Sequence, residues 1–453
     1  MRIGLDFGTT NTSAAVFDGQ SVRLLPLDPS NNNPNILRTT LFLTRPTPAT
    51  QDRSIAYIGR EAIDRFTAGN VGRVIEYQKN YIGSIELELG DIGLVMMPMR
   101  VEVDMNSPGR LFQSLKSELR EGSYIDSNVF GVRYTLEALL ALMLRKIVER
   151  IESVTGETVD GMVIGRPVHY AHDAEADALA FSRMQEACRL AGLPNIGFLE
   201  EPTAAAYSYI MSSEPREQNV LVVDFGGGTF DVTIMHCSAN GRNEFLSTDG
   251  VPVGGDLLDK RLMMGKLTKY FGQGAIMGMD HLPMPTYIFE QLSTWESIVD
   301  LSRPEHLYVI EQAAKTSDKK RELRTLYTLV RENYGLPLFE AVEAGKVRLS
   351  ESSSTTIGMH MSKINFDAPV TRAEFERLIR PDARAVEQCI ERALNAADLE
   401  ADEIDVVLRT GGSSRIPLFE KMLRDKFGPL KIQDVDAFTS VASGLAIAAA
   451  VQA

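Results

Sequence analysis

The feature that most limits how this chain can fold is a pair of similar segments, one at the N-terminus and one near the middle. The first reads IGLDFGTTNTSAAVF (residues 3–17) and the second reads VLVVDFGGGTFDVTI (residues 220–234). Each contains an apolar run, Asp-Phe-Gly, a turn of small residues and a second alternating run, which predicts a tight β-hairpin. Asp6 and Asp224 are separated by almost half of the chain, so the pattern indicates a duplicated domain.

The small residues at the two predicted hairpin tips favour an anion site. Because Gly and Thr are small, they leave backbone N–H groups accessible to a bound anion, and no Cβ blocks the approach of a ligand to glycine. The adjacent carboxylates would repel a polyphosphate, because like charges about 4 Å apart repel appreciably at a protein-like dielectric. Mg²⁺ between them would remove that repulsion, since it prefers oxygen ligands. The duplication therefore favours phosphate and metal binding over two hairpins whose glycines serve only the turns.

Charge and motifs exclude several other classes of protein. The net charge of −14 argues against nonspecific attraction to nucleic acid or to an anionic membrane. Asp-Phe-Gly also occurs in protein kinases, but the sequence has no HRDxxxxN loop, VAIK strand, P-loop or GxGxxG fingerprint. Cys188, Cys237 and Cys389 are scattered, without metal-ligand spacing. Asp6 falls where a secretory signal would need its apolar segment, and the sequence has no apolar run long enough for a membrane span. We therefore expect a cytoplasmic protein.

Three further segments carry polar residues where a strand is predicted to meet a helix. In IGFLEEPTAAAYSYI (residues 196–210), Glu200 and Glu201 could hold water or metal. The residues alone favour a solvated Glu200 and a helix-capping Glu201 instead. Glu343 and Lys346 lie three apart on a predicted helix, which is typical of a surface pair. The glycines of RTGGSSRIP, after a strand, would bring backbone N–H groups close to a phosphate or nucleoside.

Taken in order, EEPTAAA, VVDFGGGTFDVTI, VGGD and RTGGSSRIP, with IGLDFGTTNT, resemble the ATPase domain of the 70-kDa heat-shock protein family. The resemblance covers nearly the whole chain and is poor at residues 20–130 and 260–335. It implies an α/β, two-lobed actin-like ATPase fold of duplicated ribonuclease-H-like domains, with ATP and Mg²⁺ in an interlobe nucleotide cleft. It places the first lobe at residues 1–200 and the second at 201–453, with an enlarged inserted subdomain around 257–340.

The resemblance also assigns roles to individual residues. Asp6 and Asp224 would lie on the metal side and act through water, while Glu201 and Asp231 would position metal waters or the attacking water. Lys116 is the candidate for the lysine that the family places near the γ-phosphate, with a surface lysine as an equal alternative. The remaining residues implied for phosphate binding are Gly8, Thr9, Thr10, Asn11, Gly226, Gly227, Gly228 and Thr229, of which Thr229 is also assigned to catalysis.

On the nucleoside side, the resemblance replaces the surface-pair interpretation of Glu343 and Lys346 with an adenosine pocket. The implied nucleoside-binding residues are Gly254, Gly255, Asp256, Glu343, Lys346, Ser350, Gly411, Gly412, Ser413 and Arg415. Val347 stands where the family has an arginine that stacks on adenine, and Arg348 is one residue further along. We therefore expect adenine stacking to be weaker or differently made.

The implied function is an ATP-binding, slowly ATP-hydrolysing, chaperone-like protein of the stress response, in which nucleotide state sets lobe closure. The implied partners are unfolded client proteins and a nucleotide-exchange or co-chaperone partner. We expect no binding to nucleic acid or to a membrane. Since the sequence ends at Ala453, we expect no peptide-binding domain. This truncation, combined with the enlarged insertion, resembles the bacterial YegD-type homologues. The alternatives are a small-molecule kinase acting on a sugar-type alcohol and an actin-like filament protein of the same superfamily.

Overall fold

The structure is a computed structural model. It describes residues 1–89, 93–171, 173–212, 216–239, 243–278, 281–434 and 440–451. The chain forms two compact units, which are described separately below. The first unit comprises Met1–Arg65, Gly109–Leu258 and Ala373–Ala453, and the second comprises Phe66–Pro108 and Asp259–Arg372.

The chain contains runs of strands and runs of helices. The strands are β1 (Arg2–Phe7), β2 (Asn11–Phe17), β3 (Val22–Leu24), β4 (Leu37–Arg38), β5 (Thr40–Thr44), β6 (Ala56–Ile58), β7 (Tyr77–Leu89), β8 (Gly93–Asp104), β9 (Gly109–Gln113), β10 (Ser127–Val129), β11 (Val132–Tyr134), β12 (Gly161–Arg166), β13 (Ile196–Glu200), β14 (Gln218–Phe225), β15 (Phe230–Cys237), β16 (Asn243–Val251), β17 (Ile276–Met277), β18 (Leu282–Pro283), β19 (Ser354–Met361), β20 (Ile364–Thr371), β21 (Val406–Thr410) and β22 (Ile432–Asp434). The α-helices are α1 (Gly59–Asn70), α2 (Leu115–Glu118), α3 (Leu136–Thr155), α4 (Ala174–Ala191), α5 (Glu201–Ser212), α6 (Gly255–Leu262), α7 (Thr286–Glu290), α8 (Trp295–Asp300), α9 (Pro304–Thr316), α10 (Lys320–Arg331), α11 (Gly335–Glu351), α12 (Arg372–Leu378), α13 (Arg380–Ala396), α14 (Pro417–Phe427) and α15 (Ser440–Val451). None of the helices in the described ranges is long and apolar enough to cross a lipid bilayer.

The first unit contains one sheet built around the N-terminal hairpin. Its strand order is β13-β12-β1-β2-β3, with β4 also paired to β2. Strand β1 runs parallel to β12 and antiparallel to β2. Ile3, Leu5 and Phe7 alternate along β1 and are fully buried in the core beneath the sheet. Gly4 lies on the opposite face, where a Cβ would come within 2.1 Å of the Ala446 backbone nitrogen of α15.

The same unit contains a second sheet built around the duplicated hairpin. Its strand order is β16-β15-β14-β21-β22. The central strand β14 is antiparallel to β15 and parallel to β21. Residues 220–223 of β14 are all buried, as expected for a strand covered on both faces. The two predicted hairpins are therefore present at equivalent places, near the middle of two similar sheets.

Helices α5 and α15 connect the two sheets. Helix α15 packs against β1, β2 and β12 of the first sheet and against α5, while α5 also packs on β14 and β15 of the second sheet. Small residues permit this close packing, because a Cβ on Gly444 would lie 1.6 Å from the Ala204 carbonyl oxygen. One apolar cluster joins Val163 of β12, Val222 of β14 and Leu445 of α15.

The second unit contains the two-stranded β7–β8 and β19–β20 sheets together with helices α7 to α11. Helix α10 packs against α9, and α11 packs against α8 and β19. The Arg73 guanidinium contacts both carboxylate oxygens of Asp104, at 2.9 and 2.6 Å. The helical periodicity predicted between Gly265 and Leu338 corresponds to several short helices, among them a π-helical segment at Met263–Leu267.

Candidate functional site

Each duplicated hairpin ends in a short loop of small residues. The first loop, residues 8–10, joins β1 to β2, and the second, residues 226–229, joins β14 to β15. In the second loop the Gly226 amide donates to the Thr229 carbonyl at 3.0 Å and closes the turn. Asp6 pairs across its hairpin with Ser13, and Asp224 pairs with Asp231. Both predicted metal-side aspartates therefore lie one residue before the end of their strands.

The two loops come into contact with each other. A Cβ on Gly227 would lie 2.0 Å from Thr10 Oγ1, and one on Gly228 would lie 2.7 Å from Thr9 Oγ1. A Cβ at either position would have to displace a threonine hydroxyl of the other loop, so glycine here leaves room for the close approach. Residues from opposite halves of the sequence thus meet at one place, as the family resemblance implied.

The second loop rests on the turn that leads into α6. The Gly255 amide donates to the Gly226 carbonyl at 3.0 Å, and the Asp256 amide donates to the Gly227 carbonyl at 2.9 Å. A Cβ on Gly254 would lie only 2.2 Å from the Gly227 carbonyl oxygen, so this residue must be glycine. Backbone groups of three predicted nucleoside-side residues therefore fix the position of the predicted phosphate loop.

The glycine segment after β21 supports the same loop from another side. Gly411 has φ of 80°, and a Cβ there would lie 2.2 Å from the Phe225 carbonyl oxygen. Ser413 Oγ donates to the Gly226 carbonyl at 3.3 Å. Gly412 and Arg415 begin and end the single 3₁₀ turn that follows β21. The structure thus brings this predicted segment beside the second loop.

Asp256 links three separate parts of the first unit. Thr10 Oγ1 donates to its Oδ1 at 3.2 Å, and Ser114 Oγ donates to its Oδ2 at 3.1 Å. Ser114 was not predicted from the sequence. Its left-handed backbone, with φ of 50°, is unusual for a serine and has no local sequence signal. At the first loop, Asn11 Oδ1 accepts a bond from Arg38 at 3.4 Å, and a Cβ on Gly8 would lie 2.4 Å from the Asn11 carbonyl oxygen.

Lys116 and Glu201 form a buried ion pair beside these loops. Lys116 Nζ donates to Glu201 Oε1 at 2.6 Å, and both residues are at least nine-tenths buried. The alternative of a surface lysine is therefore wrong for Lys116. Burial alone would lower the pKa of this lysine, but the charge and hydrogen bond of Glu201 raise it overall. Lys116 is thus a fixed positive charge.

Three aspartates share the environment of that ion pair. Burial and the charge of Glu201 raise the pKa of Asp6 to about 7, although Lys116 opposes the shift. The same two causes raise the pKa of Asp231 to about 7 and that of Asp224 well above its ordinary value. Four carboxylates thus surround one lysine, an excess of negative charge that a cation would balance.

The donor set fits a hydrated cation better than a directly ligated one. Within the described ranges, no group of three or more His, Cys, Asp or Glu side chains is arranged to hold a metal ion directly. Asp6 and Asp224 are hard oxygen donors, and Mg²⁺ characteristically keeps several of its waters. The residues present therefore fit Mg²⁺ held through water, which remains a prediction.

Asp231 is held in place by two donors. The Val168 amide donates to its Oδ1 at 3.0 Å, and Thr229 Oγ1 donates to its Oδ2 at 2.7 Å. Since the Thr229 hydroxyl donates its hydrogen bond to a carboxylate, its lone pairs remain available to accept a hydrogen bond.

Tyr170 is another buried polar residue near this site, and it was not predicted from the sequence. Its hydroxyl has no hydrogen-bond partner among the described residues, and burial is the main reason its pKa rises to about 12.

The other predicted nucleoside residues, Glu343, Lys346 and Ser350, lie on α11 in the second unit. Lys346 Nζ donates to Asp259 Oδ2 at 2.6 Å, with both side chains largely buried. Lys346 is therefore not a solvated surface lysine, and an aspartate of α6 is an ion-pair partner of it. The role of these three residues in binding adenosine stays a prediction.

The residues at the expected adenine-stacking position are also on α11. The Val347 side chain is exposed, at 54%. The Arg348 guanidinium instead bonds to Thr355 Oγ1 at 2.8 Å and to the Thr356 carbonyl at 3.2 Å. Arg348 is thus committed to β19, and it does not replace the missing arginine in this arrangement.

Comparison with known proteins gives a consistent result. The family model described as Hsp70 protein matches residues 92–279 and 329–453. Among curated relatives, the chain is 28% identical over its whole length to the "Chaperone protein dnaK" of Cyanidioschyzon merolae, covering 62% of that protein. It is 27% identical over its whole length to the "Chaperone protein dnaK" of Gracilaria tenuistipitata, covering 60% of it. Over 76% of the chain, it is 29% identical to the "Chaperone protein DnaK" of Thermus thermophilus, covering 49%.

These relatives are longer proteins, and the chain spans about 60% of the length of the first two. The family model matches well over half of the chain. Together with the two similar sheets, each carrying its own hairpin, this confirms the predicted α/β, two-lobed actin-like ATPase fold. The chain belongs to the 70-kDa heat-shock protein (Hsp70) family.

Proposed function

We propose that the chain binds ATP, hydrolyses it slowly to ADP and phosphate, and acts as a chaperone-like switch. The observation that carries this proposal is the contact between the two glycine and threonine loops beside the buried Lys116–Glu201 pair. Because each loop belongs to a different sheet, a ligand gripped by both would respond to the spacing between the sheets.

Phosphoryl transfer depends mainly on positioning and on neutralising charge, and the residues of this site suit both tasks. The loop amides, including those of Thr10 and Thr229, and the hydroxyl of Thr9 would hold the phosphate oxygens. Lys116, fixed by Glu201, would offer a positive charge without the entropy cost of ordering a free lysine. A bound Mg²⁺, held through water by Asp6 and Asp224, would neutralise charge on the phosphates.

Asp231 and Thr229 are the best placed to orient an attacking water. Asp231 cannot rotate freely, because it accepts bonds from both the Val168 amide and Thr229. The Thr229 hydroxyl retains its acceptor capacity toward a water proton. With its pKa raised to about 7, Asp231 is suited to accept that proton near neutral pH.

The chaperone part of the proposal rests on the curated relatives, which carry the name "Chaperone protein dnaK". By analogy, nucleotide state would set the closure of the two lobes. The partners would then be unfolded client proteins and a nucleotide-exchange or co-chaperone partner, in a cytoplasmic stress response. These assignments are inferred from the family and not from a described binding surface.

Steady-state phosphate release from ATP, with and without Mg²⁺, tests this proposal. We expect Lys116→Met to reduce the rate by about 10² or more, the loss typical when one charge-stabilising group is removed. Lys146→Met is the matched control, because Lys146 is a partly exposed helical lysine paired with Glu149 at 2.6 Å. Equal rates in the two variants would refute the assignment of Lys116.

Binding and turnover need separate measurements. ATP with Mg²⁺ should raise the melting temperature of the wild type, and Asp224→Asn should abolish the rise. A thermal shift without phosphate release would indicate a switch that does not hydrolyse ATP. ADP release that requires an added alcohol would favour the small-molecule kinase, and ATP-dependent pelleting would favour the filament protein.

A further inference from the structure

Helix α10 in the second unit carries a row of positive side chains along its exposed face. Lys320, Arg324, Tyr327 and Arg331 recur at steps of four, three and four residues, so they form one stripe on the helix. We call these four residues the basic stripe. It is about 16 Å long, from eleven residue-to-residue steps at about 1.5 Å each. Its three cations are exposed, and Arg321 lies exposed on its flank.

The opposite face of α10 is committed to the core of the second unit. Leu323, Leu326 and Leu329 are fully buried. These leucines fix the helix against the core, so the basic stripe faces solvent from a rigid backbone. None of its apolar residues is free to insert into a lipid surface.

The cations of the basic stripe have no carboxylate partner among the described residues. Neighbouring charges do pair, as Lys315 does with Glu311 at 2.9 Å and Arg303 with Asp300 at 3.0 Å. No ion pair is formed within the described ranges by Lys320, Arg324 or Arg331. The stripe itself contains no acidic residue. The stripe is thus a local positive surface on a chain of net charge −14.

The stripe lies almost entirely in a part of the chain that the family model does not match. The matched stretches end at residue 279 and resume at residue 329. Of its three cations, only Arg331 falls within a matched stretch. The family model therefore gives no account of most of the stripe.

From these observations we infer that the basic stripe is a docking surface for an acidic polypeptide segment. Its two arginines can bind carboxylates in bidentate fashion. The Arg331 guanidinium lies 5.6 Å from the Tyr327 ring centroid, a contact that orders it before a partner arrives.

Nucleic acid and membranes suit the stripe less well than an acidic segment. Duplex DNA carries a charge about every 1.7 Å, so about ten phosphates would face three cations on an acidic protein. A membrane site would need exposed apolar residues between the cations, and those of α10 are buried. A short run of Asp and Glu matches both the length and the charge of the stripe.

The test measures binding of a fluorescein-labelled oligo-glutamate peptide to the whole protein by fluorescence anisotropy. We expect binding at low ionic strength that weakens as salt is added. The variant Lys320→Gln/Arg324→Gln/Arg331→Gln should bind about tenfold more weakly, from three exposed charge pairs of ordinary strength. Glutamine is a good helix former, so the helix should persist, and circular dichroism would verify it.

The control is Lys146→Gln/Lys421→Gln/Arg424→Gln, which changes the net charge equally but removes cations that are already paired. It should bind the peptide like the wild type. If both triple variants bound the peptide equally weakly, the loss of binding would be explained by net charge alone, and the proposal would be overturned. No peptide binding, or tighter binding to a DNA duplex or to phosphatidylserine vesicles than to the peptide, would also overturn it.

Discussion

Replacing Gly254 by alanine should dislodge the second loop from the turn that supports it. The added Cβ would lie 2.2 Å from the Gly227 carbonyl oxygen and 2.4 Å from the Gly227 and Gly228 carbonyl carbons. Unstrained contacts of this kind lie at about 3.5 Å, so loop and turn must separate by about 1 Å. All three opposing atoms are backbone, so no side-chain rotation can relieve the overlap.

The cost can be worked out from the bonds that hold these two segments together. A separation of that size breaks or weakens the bonds from the Gly255 amide to Gly226 and from the Asp256 amide to Gly227. Each backbone bond contributes about 0.5–1.5 kcal/mol, and overpacking adds about 1–3 kcal/mol. The free energy of unfolding of the first unit should therefore fall by about 2–6 kcal/mol.

Urea denaturation of nucleotide-free protein measures this loss as a shift in the transition midpoint. Gly226→Ala is the matched control in the same loop, because a Cβ there meets nothing closer than the Thr229 carbonyl oxygen at 3.9 Å. Its change should stay within about 1 kcal/mol, as for a substitution without steric conflict. If Gly254→Ala cost no more than Gly226→Ala, the close approach described here would be refuted.

Three other predictions rest on single contacts. Tyr170→Phe should raise the free energy of unfolding by about 1 kcal/mol in denaturation experiments, because it removes a buried hydroxyl that has no partner in the described part of the chain. A hydrogen bond with Asn365 and the charge of Asp367 raise the pKa of His360 in the folded protein. Protonated His360 therefore stabilises the folded state at pH values below its unfolded pKa. That stabilisation is lost as the pH rises through the folded pKa. Asp367→Asn should move the NMR titration midpoint of His360 to lower pH. Gly444→Ala should lower the melting temperature by several degrees or more, because its Cβ would overlap a carbonyl of α5.

Local chemistry explains which parts of this molecule could be predicted from the sequence. Both hairpins follow from alternating apolar residues and from turns that need glycine, and each is encoded within about fifteen residues. The helix starting at Glu201 follows from Pro202 in its first turn. That the two loops meet did not follow from the repeat itself; the family resemblance implied it.

The contacts that join these local elements could not be predicted in the same way. Ser114 reaches Asp256 across 142 residues, from a left-handed conformation that serine rarely adopts. The spacing rule for helices pointed Lys346 at Glu343, but tertiary packing gives it the carboxylate of Asp259, 87 residues away. Nothing around Tyr170 in the sequence marks it as a buried hydroxyl without a partner. Each of these depends on which surfaces meet after folding.

The small residues of α5 and α15 relate the fold to the site. Helix α15 touches the first sheet through the space left by Gly4, and it touches α5 through the space left by Gly444. Helix α5 in turn packs on the second sheet. The separation of the two sheets is therefore set where backbones, and not long side chains, come into contact. Close-packed backbones yield little, so a change in sheet spacing must occur as a movement of one helix over the other, and the loops at the hairpin tips would move with their sheets.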